Sequence, residues 1–255
     1  MQDLKSSSFL IVDEQPVSIA QALKYLQSSG KLQTFILDIL RQRIIEQELQ
    51  TRDDLDINPG VIEQAVIDFR LQQQLTDPNK FQEWLNSNGL DYPSFHSQVG
   101  FGFKLEKLKA AITEPRLQEY FIEQKLFLDR VVLSRIIVTD KELAEELKSQ
   151  ILEGARFDQL AQEYSVADDR LVNGMMGAVS RGQLPDSVRA LVDLASPGEI
   201  VGPLQIEQWY CLFRVEKFLP AELEGQTKQE LENQLFEKWL GEKLQKLDIK
   251  LQVNS

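Results

Sequence analysis

The sequence predicts an α+β protein: a helical N-terminal domain completed by the C-terminal helix, plus an α/β domain whose small antiparallel sheet is wrapped by helices. Three observations predict it. Apolar residues recur at helical spacing up to about residue 129. From about 130 to 219, β-branched and alternating runs appear between short helices. Helical spacing then returns over 220–255. With 255 residues, 42% of them apolar, the chain can bury real cores and is not composed like a disordered segment.

The first zone, 1–129, opens on a short strand at residues 9–12, followed by a turn at Asp13-Glu14-Gln15-Pro16, where proline bars a helix. Ser18 is placed to cap a helix through Gln27 that ends at Ser28-Ser29-Gly30. Leu32, Ile36, Leu40 and Ile44 recur every fourth residue and predict a long helix over about 31–50. Asn58-Pro59 opens the next, with Val61, Ile62, Ala65, Val66 and Phe69 as its apolar face. Asp77-Pro78 opens a third with Phe81, Trp84 and Leu85. Tyr92-Pro93 begins a fourth that runs to Ile112, and Glu114-Pro115 starts a fifth.

In the second zone, 130–219, residues 131–138 form a β-branched run fit for a buried strand. Asp140 caps a helix to about Glu153. Residues 157–164 form a second, and 185–194 a third, preceded by a glycine-flanked loop that holds Met175 and Met176. Pro197-Gly198 and Gly202-Pro203 mark turns, and 209–218 alternates as the final strand. In the third zone, 220–255, Thr227 is placed to cap a helix carrying Leu231, Leu235, Phe236, Trp239, Leu240 and Leu244. Residues 247–253 alternate as a closing strand. An isolated helix of this kind is marginal in water, so it is expected to fold back on the first zone, with the last strand pairing near residues 9–12.

Composition removes several function classes. A net charge of −12 leaves no basic stripe for nucleic acid. One cysteine, Cys211, excludes an internal disulfide, and one histidine, His96, excludes a histidine-cluster metal centre, so no cofactor or metal is expected. His96 reads as a partly exposed helix residue. The apolar run near the start is too short for a signal peptide or a membrane span. Cytoplasmic placement is therefore expected, with a periplasmic or otherwise extracytoplasmic one as the alternative if a leader has been removed.

The middle zone resembles the parvulin family of peptidyl-prolyl cis-trans isomerases over some ninety residues in family order. Ser134-Arg135-Ile136-Ile137-Val138 stands where that family has Ser-His-Ile-Leu-Val. The stretch from Gly154 to Ser165 follows its second-helix pattern. Asn173-Gly174-Met175-Met176-Gly177 replaces Gly-Gly-Asp-Leu-Gly, and Arg181-Gly182-Gln183-Leu184 replaces Arg-Gly-Gln-Met. Pro197-Gly198-Glu199-Ile200-Val201-Gly202-Pro203 is the most family-specific stretch. Trp209 to Val215 stands for Gly-Tyr-His-Ile-Ile-Lys-Val. The flanks are similar to SurA and PrsA foldases: residues 12–17 look like their Val-Asn-Gly-Glu-Pro-Ile opening, and 57–112 like their helical chaperone domain. In that class the C-terminal segment returns to the N-terminal domain.

The resemblance implies a catalytic ring of two histidines and an acid or cysteine, set around a proline pocket. Rotation about a peptide bond meets a barrier near ~20 kcal/mol, which such a site must lower. Here the ring positions are Arg135, Met175 and Cys211, and the pocket's Met and Phe are Leu184 and Val188. A guanidinium only donates hydrogen bonds, whereas an imidazole both donates and accepts, so the family's network cannot form. Arg135 either polarises a carbonyl or forms an ordinary ion pair. Cys211 is either a small buried hydrophobe or a reactive thiol. Met175 and Met176 either offer a promiscuous apolar contact or fill the core.

These residues lead to the expectation of a SurA-like foldase that binds unfolded or extended polypeptide, through Leu184, Val188, Met175, Met176 and Phe213, with weak or lost isomerase activity. The alternatives are an active isomerase with a reduced site, or a scaffold for one secretion partner. Oligomeric state is left open.

Overall fold

The computed structural model describes residues 8–250, which divide into two compact units. Residues up to Arg116 and from Glu232 onward make the first, and Leu117–Leu231 the second.

In the first unit, strands β1 (Ser8–Val12) and β2 (Gln15–Ser18) form an antiparallel hairpin, with Ile11 opposite Pro16. The turn is Asp13-Glu14, both at positive φ, so Pro16 lies in a strand and not in the turn the sequence suggested. An unpaired strand edge tolerates the missing N–H. Ser18 caps helix α1 (Ile19–Ser28) through a capping box: its hydroxyl accepts from the Gln21 N–H at 3.2 Å, and the Gln21 side chain accepts from the Ser18 N–H at 2.9 Å. Helix α2 (Leu32–Gln50) leads into a 3-10 turn (Asp53–Leu55). Helices α3 (Pro59–Gln72) and α4 (Pro78–Ser87) open on proline, capped by Asn58 and Asp77.

Helix α5 (Tyr92–Leu128) is continuous through Pro115, correcting the two helices read from Glu114-Pro115. Proline removes one backbone donor, and the packing of Leu108, Thr113 and Leu117 on either side of it keeps both halves buried. Ile44, Ile45, Leu55 and Leu108 form one core with Phe236 and Leu240 of helix α9 (Gly225–Leu244). Val66, Phe81, Leu85 and Phe95 form another, in which the Phe81 and Phe95 rings lie 5.6 Å apart. Helix α9 begins at Gly225, two residues before the Thr227 expected to cap it. The closing strand expected over 247–253 is not formed at 247–250, and its remainder lies outside the described residues.

The second unit is a three-layer arrangement around strands β3 (Arg130–Val138), β4 (Met175–Ser180), β5 (Ile200–Ile206) and β6 (Trp209–Leu219), in the order β4-β3-β6-β5 and antiparallel throughout. Helices α6 (Lys141–Leu152) and α7 (Phe157–Tyr164) cover one face through Leu147, Phe157 and Leu160, packed on Ile136, Val138 and Leu212. Helix α8 (Asp186–Val192) covers the other through Val188 and Val192, packed on Leu133 and Val215.

Two features depart from the sequence reading. Met175 and Met176 lie in strand β4, paired with β3, and not in a loop; a register shift near Leu133 and the positive φ of Gly177 accommodate the glycines. Gly202-Pro203, read as a turn, sits inside β5 at a bulge with a cis peptide bond, on an edge strand where proline costs no ladder bond.

Candidate functional site

Alternation along β3 and β6 decides which side chains meet. Arg135 pairs with Phe213, and Ile137 with Cys211, so these residues share the sheet face covered by α8. Ser134 points to the opposite face, where its hydroxyl donates to Glu216 at 2.6 Å.

Arg135 forms an ion pair. Its Nε donates to Asp169 Oδ2 at 2.6 Å, with the arginine side chain 33% exposed and the aspartate 14%. Asp169 stands in a 3-10 turn (Asp168–Val172) that the backbone fastens to the strand: the Arg135 N–H donates to the Gly174 carbonyl at 2.7 Å, and the Gly174 N–H to the Asp169 carbonyl at 2.9 Å. Gly174 has φ +75°, and a Cβ there would lie 2.3 Å from the Arg135 carbonyl oxygen, so only glycine fits. The second Asp169 oxygen, Oδ1, is buried without a hydrogen-bond partner.

Cys211 is buried, and burial pushes its thiol up against the opposing pull of the Arg135 guanidinium. It therefore has the character of a small core residue and not of a nucleophile. Met175 is 54% exposed, while Met176 is half-buried and packs on the core under α8.

Leu184, Val188 and Phe213, expected to line a client groove, are buried in that core together with Val131, Leu133 and Val215. The alternation that places apolar side chains on this face also obliges them to be buried by α8, which leaves Met175 exposed at the end of the sheet beside them.

Asp169 was not singled out in the sequence. Its signal was the need of Arg135, in the middle of a buried strand, for a carboxylate within reach. A second polar node also went unread. Asp129 accepts from Lys125 Nζ at 2.6 Å, the Ala221 N–H at 2.8 Å and Arg181 at 3.2 Å, and Arg181 also pairs with Asp193 at 2.8 Å. A shallow cleft of about 280 Å³ opens beside it, lined by Asp129, Arg130, Arg181, Asp193, Phe218 and Pro220. Burial works to raise the Asp129 carboxyl, but its hydrogen bonds and the Lys125 and Arg181 charges outweigh this and hold it below the ordinary range. His96 lies in α5 with Nε2 3.1 Å from Glu63, far from this chemistry in sequence and in the other unit. Among the described residues, no three His, Cys, Asp or Glu side chains gather as metal ligands, and no helix is long and apolar enough to cross a membrane.

Residues 137–217 match the family model described as Rotamase, PPIC-type PPIASE domain. The foldase protein PrsA 2 of Listeria innocua is 27% identical over 144 residues, covering 54% of this chain and 48% of its own. The foldase protein PrsA of Bacillus subtilis is 23% identical over 197 residues, covering 71% and 65%. The chaperone SurA of Pseudomonas aeruginosa is 23% identical over 204 residues, covering 71% and 49%. The chain thus spans about half the length of the first of these relatives. A crystal structure of the peptidylprolyl isomerase PrsA of Bacillus cereus aligns over 96% of this chain and 94% of its own, at 18% identity and a TM-score of 0.45.

Proposed function

We propose that this chain, which carries a PPIC-type rotamase domain in a PrsA- and SurA-like foldase architecture, is a chaperone that binds unfolded or extended polypeptide and catalyses prolyl isomerisation weakly or not at all. One observation carries the reading: the rotamase scaffold is retained, while its ring positions hold Arg135 tied to Asp169, an exposed Met175 and a buried Cys211. Arg135 only donates, Met175 only accepts and does so weakly, and the Cys211 thiol is a weak donor and acceptor, so together they cannot pass hydrogen bonds around a ring as paired imidazoles do. Met175 supplies a flexible, polarisable contact suited to varied apolar clients.

The active-isomerase reading rests on Arg135 itself. Its Nε holds Asp169, which leaves the terminal nitrogens of a part-exposed guanidinium to donate to a prolyl carbonyl. Exchange spectroscopy on an Xaa-Pro peptide, with Arg135→Gln as control, separates the two. The expected rate equals that of the control, alongside suppression of client aggregation at stoichiometric ratio. An acceleration that the substitution abolishes overturns the weak-catalysis reading, and no effect on aggregation at large excess overturns the chaperone.

The compartment follows the relatives. PrsA and SurA proteins work outside the cytoplasm, which fits the extracytoplasmic alternative and leaves the cytoplasmic expectation without support. The chain's division into residues 1–129, 130–219 and 220–255 is likewise proposed as its functional organisation, with the rotamase scaffold as the central module.

A further inference from the structure

The sheet of the second unit has two outer edges, β4 and β5, and among the described residues no further strand pairs with either. A strand edge presents unpaired N–H and C=O groups, and proteins blunt such edges with proline, bulges and charged side chains. β5 is blunted in all three ways. Pro203 has no N–H to offer, the register shifts between Val201 and Leu204, and the Lys148 ammonium donates to the Gly202 carbonyl at 2.6 Å.

β4 is not. Its six residues, Met175 to Ser180, include neither proline nor charge, and the pairing from Gly177 to Ser180 is regular. The direction of its free groups follows from β3. The Arg135 N–H points to the β4 side, where it donates to the Gly174 carbonyl. Alternation turns Leu133 and Val131 the same way, so their partners Gly177 and Val179 bond inward. Ala178 and Ser180 therefore turn their backbone groups outward. Arg130 donates to the Ala178 carbonyl at 2.7 Å, but a carbonyl has two lone pairs and can accept a second N–H. The turn that leads into β4 is apolar, with Leu171 80% and Val172 56% exposed.

These groups decide what fits. Only an extended backbone presents donors and acceptors at the spacing of Ala178 and Ser180. A second copy of β4 would meet that requirement, but residues 117–231 carry 20 acids against 12 bases, net −8, and two such units repel. A client segment of neutral or positive charge meets no such repulsion. Proline at a paired position would bring no N–H.

We propose that the outer edge of β4 is a docking site for an extended client segment, neutral or basic and free of proline where it pairs, which adds as a strand beside Ala178 and Ser180. This rests on the chaperone reading above and gives it a client chemistry: recognition through main-chain bonds, on stretches between prolines.

The probe is a short labelled peptide of alternating valine and threonine with a lysine at each end. Its binding to the full chain is followed by fluorescence anisotropy, and exchange of the Ala178 and Ser180 amides by NMR. At saturation the peptide should slow both amides at least about tenfold. The same peptide methylated at every backbone nitrogen keeps its side chains and charge but no donors, and should bind at least about tenfold more weakly. Ala178→Pro removes an outward N–H without touching the β3 ladder and should weaken binding as much. Four results overturn the proposal: no binding; binding that leaves both amides unchanged; equal affinity for the methylated peptide; or protection that rises with protein concentration alone, which assigns the edge to a second copy. Suppression of client aggregation on the same preparation shows whether the chaperone reading falls with it. The exchange and methylation arms use only the wild-type protein, so a variant that fails to fold leaves the proposal open to refutation.

Discussion

Replacing Asp129 by asparagine keeps the shape of the side chain and removes the charge on which three donors converge. The donors are Lys125 at 2.6 Å, the Ala221 N–H at 2.8 Å and Arg181 at 3.2 Å. They tie the end of α5, the second residue after β6 and the 3-10 turn Arg181–Gln183 to the residue just before β3. A backbone hydrogen bond contributes about 1 kcal/mol, and a charge-assisted one about 1.5–3 kcal/mol when buried. Lys125 is 38% exposed and Arg181 27%, so water recovers part of their loss. Asp129→Asn should therefore cost about 2–4 kcal/mol, which in a domain of this size lowers the melting midpoint by roughly 10 °C. Hydrogen exchange on peptides spanning β3 and β6, read by mass spectrometry at several denaturant concentrations, measures this locally. The pH dependence has a fixed sign. The folded carboxyl lies below its unfolded value, so its stabilisation is full above the unfolded pKa of about 3.9 and is lost as pH falls through the folded one. Wild type and variant should accordingly converge in acid. A difference under about 0.5 kcal/mol at pH 7, or one that persists undiminished where Asp129 is protonated, would refute the electrostatic account.

Gly174→Ala sets a Cβ 2.3 Å from the Arg135 carbonyl oxygen at φ +75°, and should cost roughly 2–4 kcal/mol while loosening the turn that carries Asp169. Gly177→Ala is the control: its φ of +78° is similar but nothing lies within 4 Å, so about 1 kcal/mol is expected. Equal losses at both positions would mean that the clash is relieved elsewhere. Cys211 should react with a thiol reagent at neutral pH at least about a hundredfold more slowly in the native protein than in denaturant, since burial keeps its thiol protonated and covered. Prompt native labelling would show that the face under α8 opens readily.

The helical zones were legible because their signals are local. Asn58, Asp77 and Asp140 cap helices where expected, each through a side-chain oxygen accepting an early backbone N–H. What escaped depended on partners distant in sequence. Met175 and Met176 have neither β-branching nor alternation, and become strand because β3 offers an edge to pair with. Pro115 was read as a helix start from a rule that holds when nothing else supports the backbone, and here α5 is packed on both sides of it. The same limit applied at the site. The replacements at 135, 175 and 211 could be read directly, but Asp169 became visible as the partner of Arg135 only once the 3-10 turn was seen bonded to β3. That Leu184, Val188 and Phe213 are buried under α8 was not legible, because sequence conveys apolarity without telling how deeply a side chain is covered.

Asp169 also bears on how much catalysis the site can supply. A free guanidinium beside a prolyl carbonyl would favour whichever geometry develops negative charge on that oxygen. Paired to a carboxylate at 2.6 Å, Arg135 presents a dipole in place of a charge, and its field falls off more steeply with distance. Lowering a barrier of about 20 kcal/mol by a useful amount requires interactions stronger in the twisted amide than in either planar form. Apolar contact with Met175 does not discriminate between those forms, since thioether packing responds to surface and hardly to amide planarity. On the chaperone reading proposed above, affinity for a prolyl client and acceleration of its isomerisation are therefore expected to be separable. Tight binding with an unchanged exchange rate is the combination that uniform recognition of cis, trans and twisted states produces.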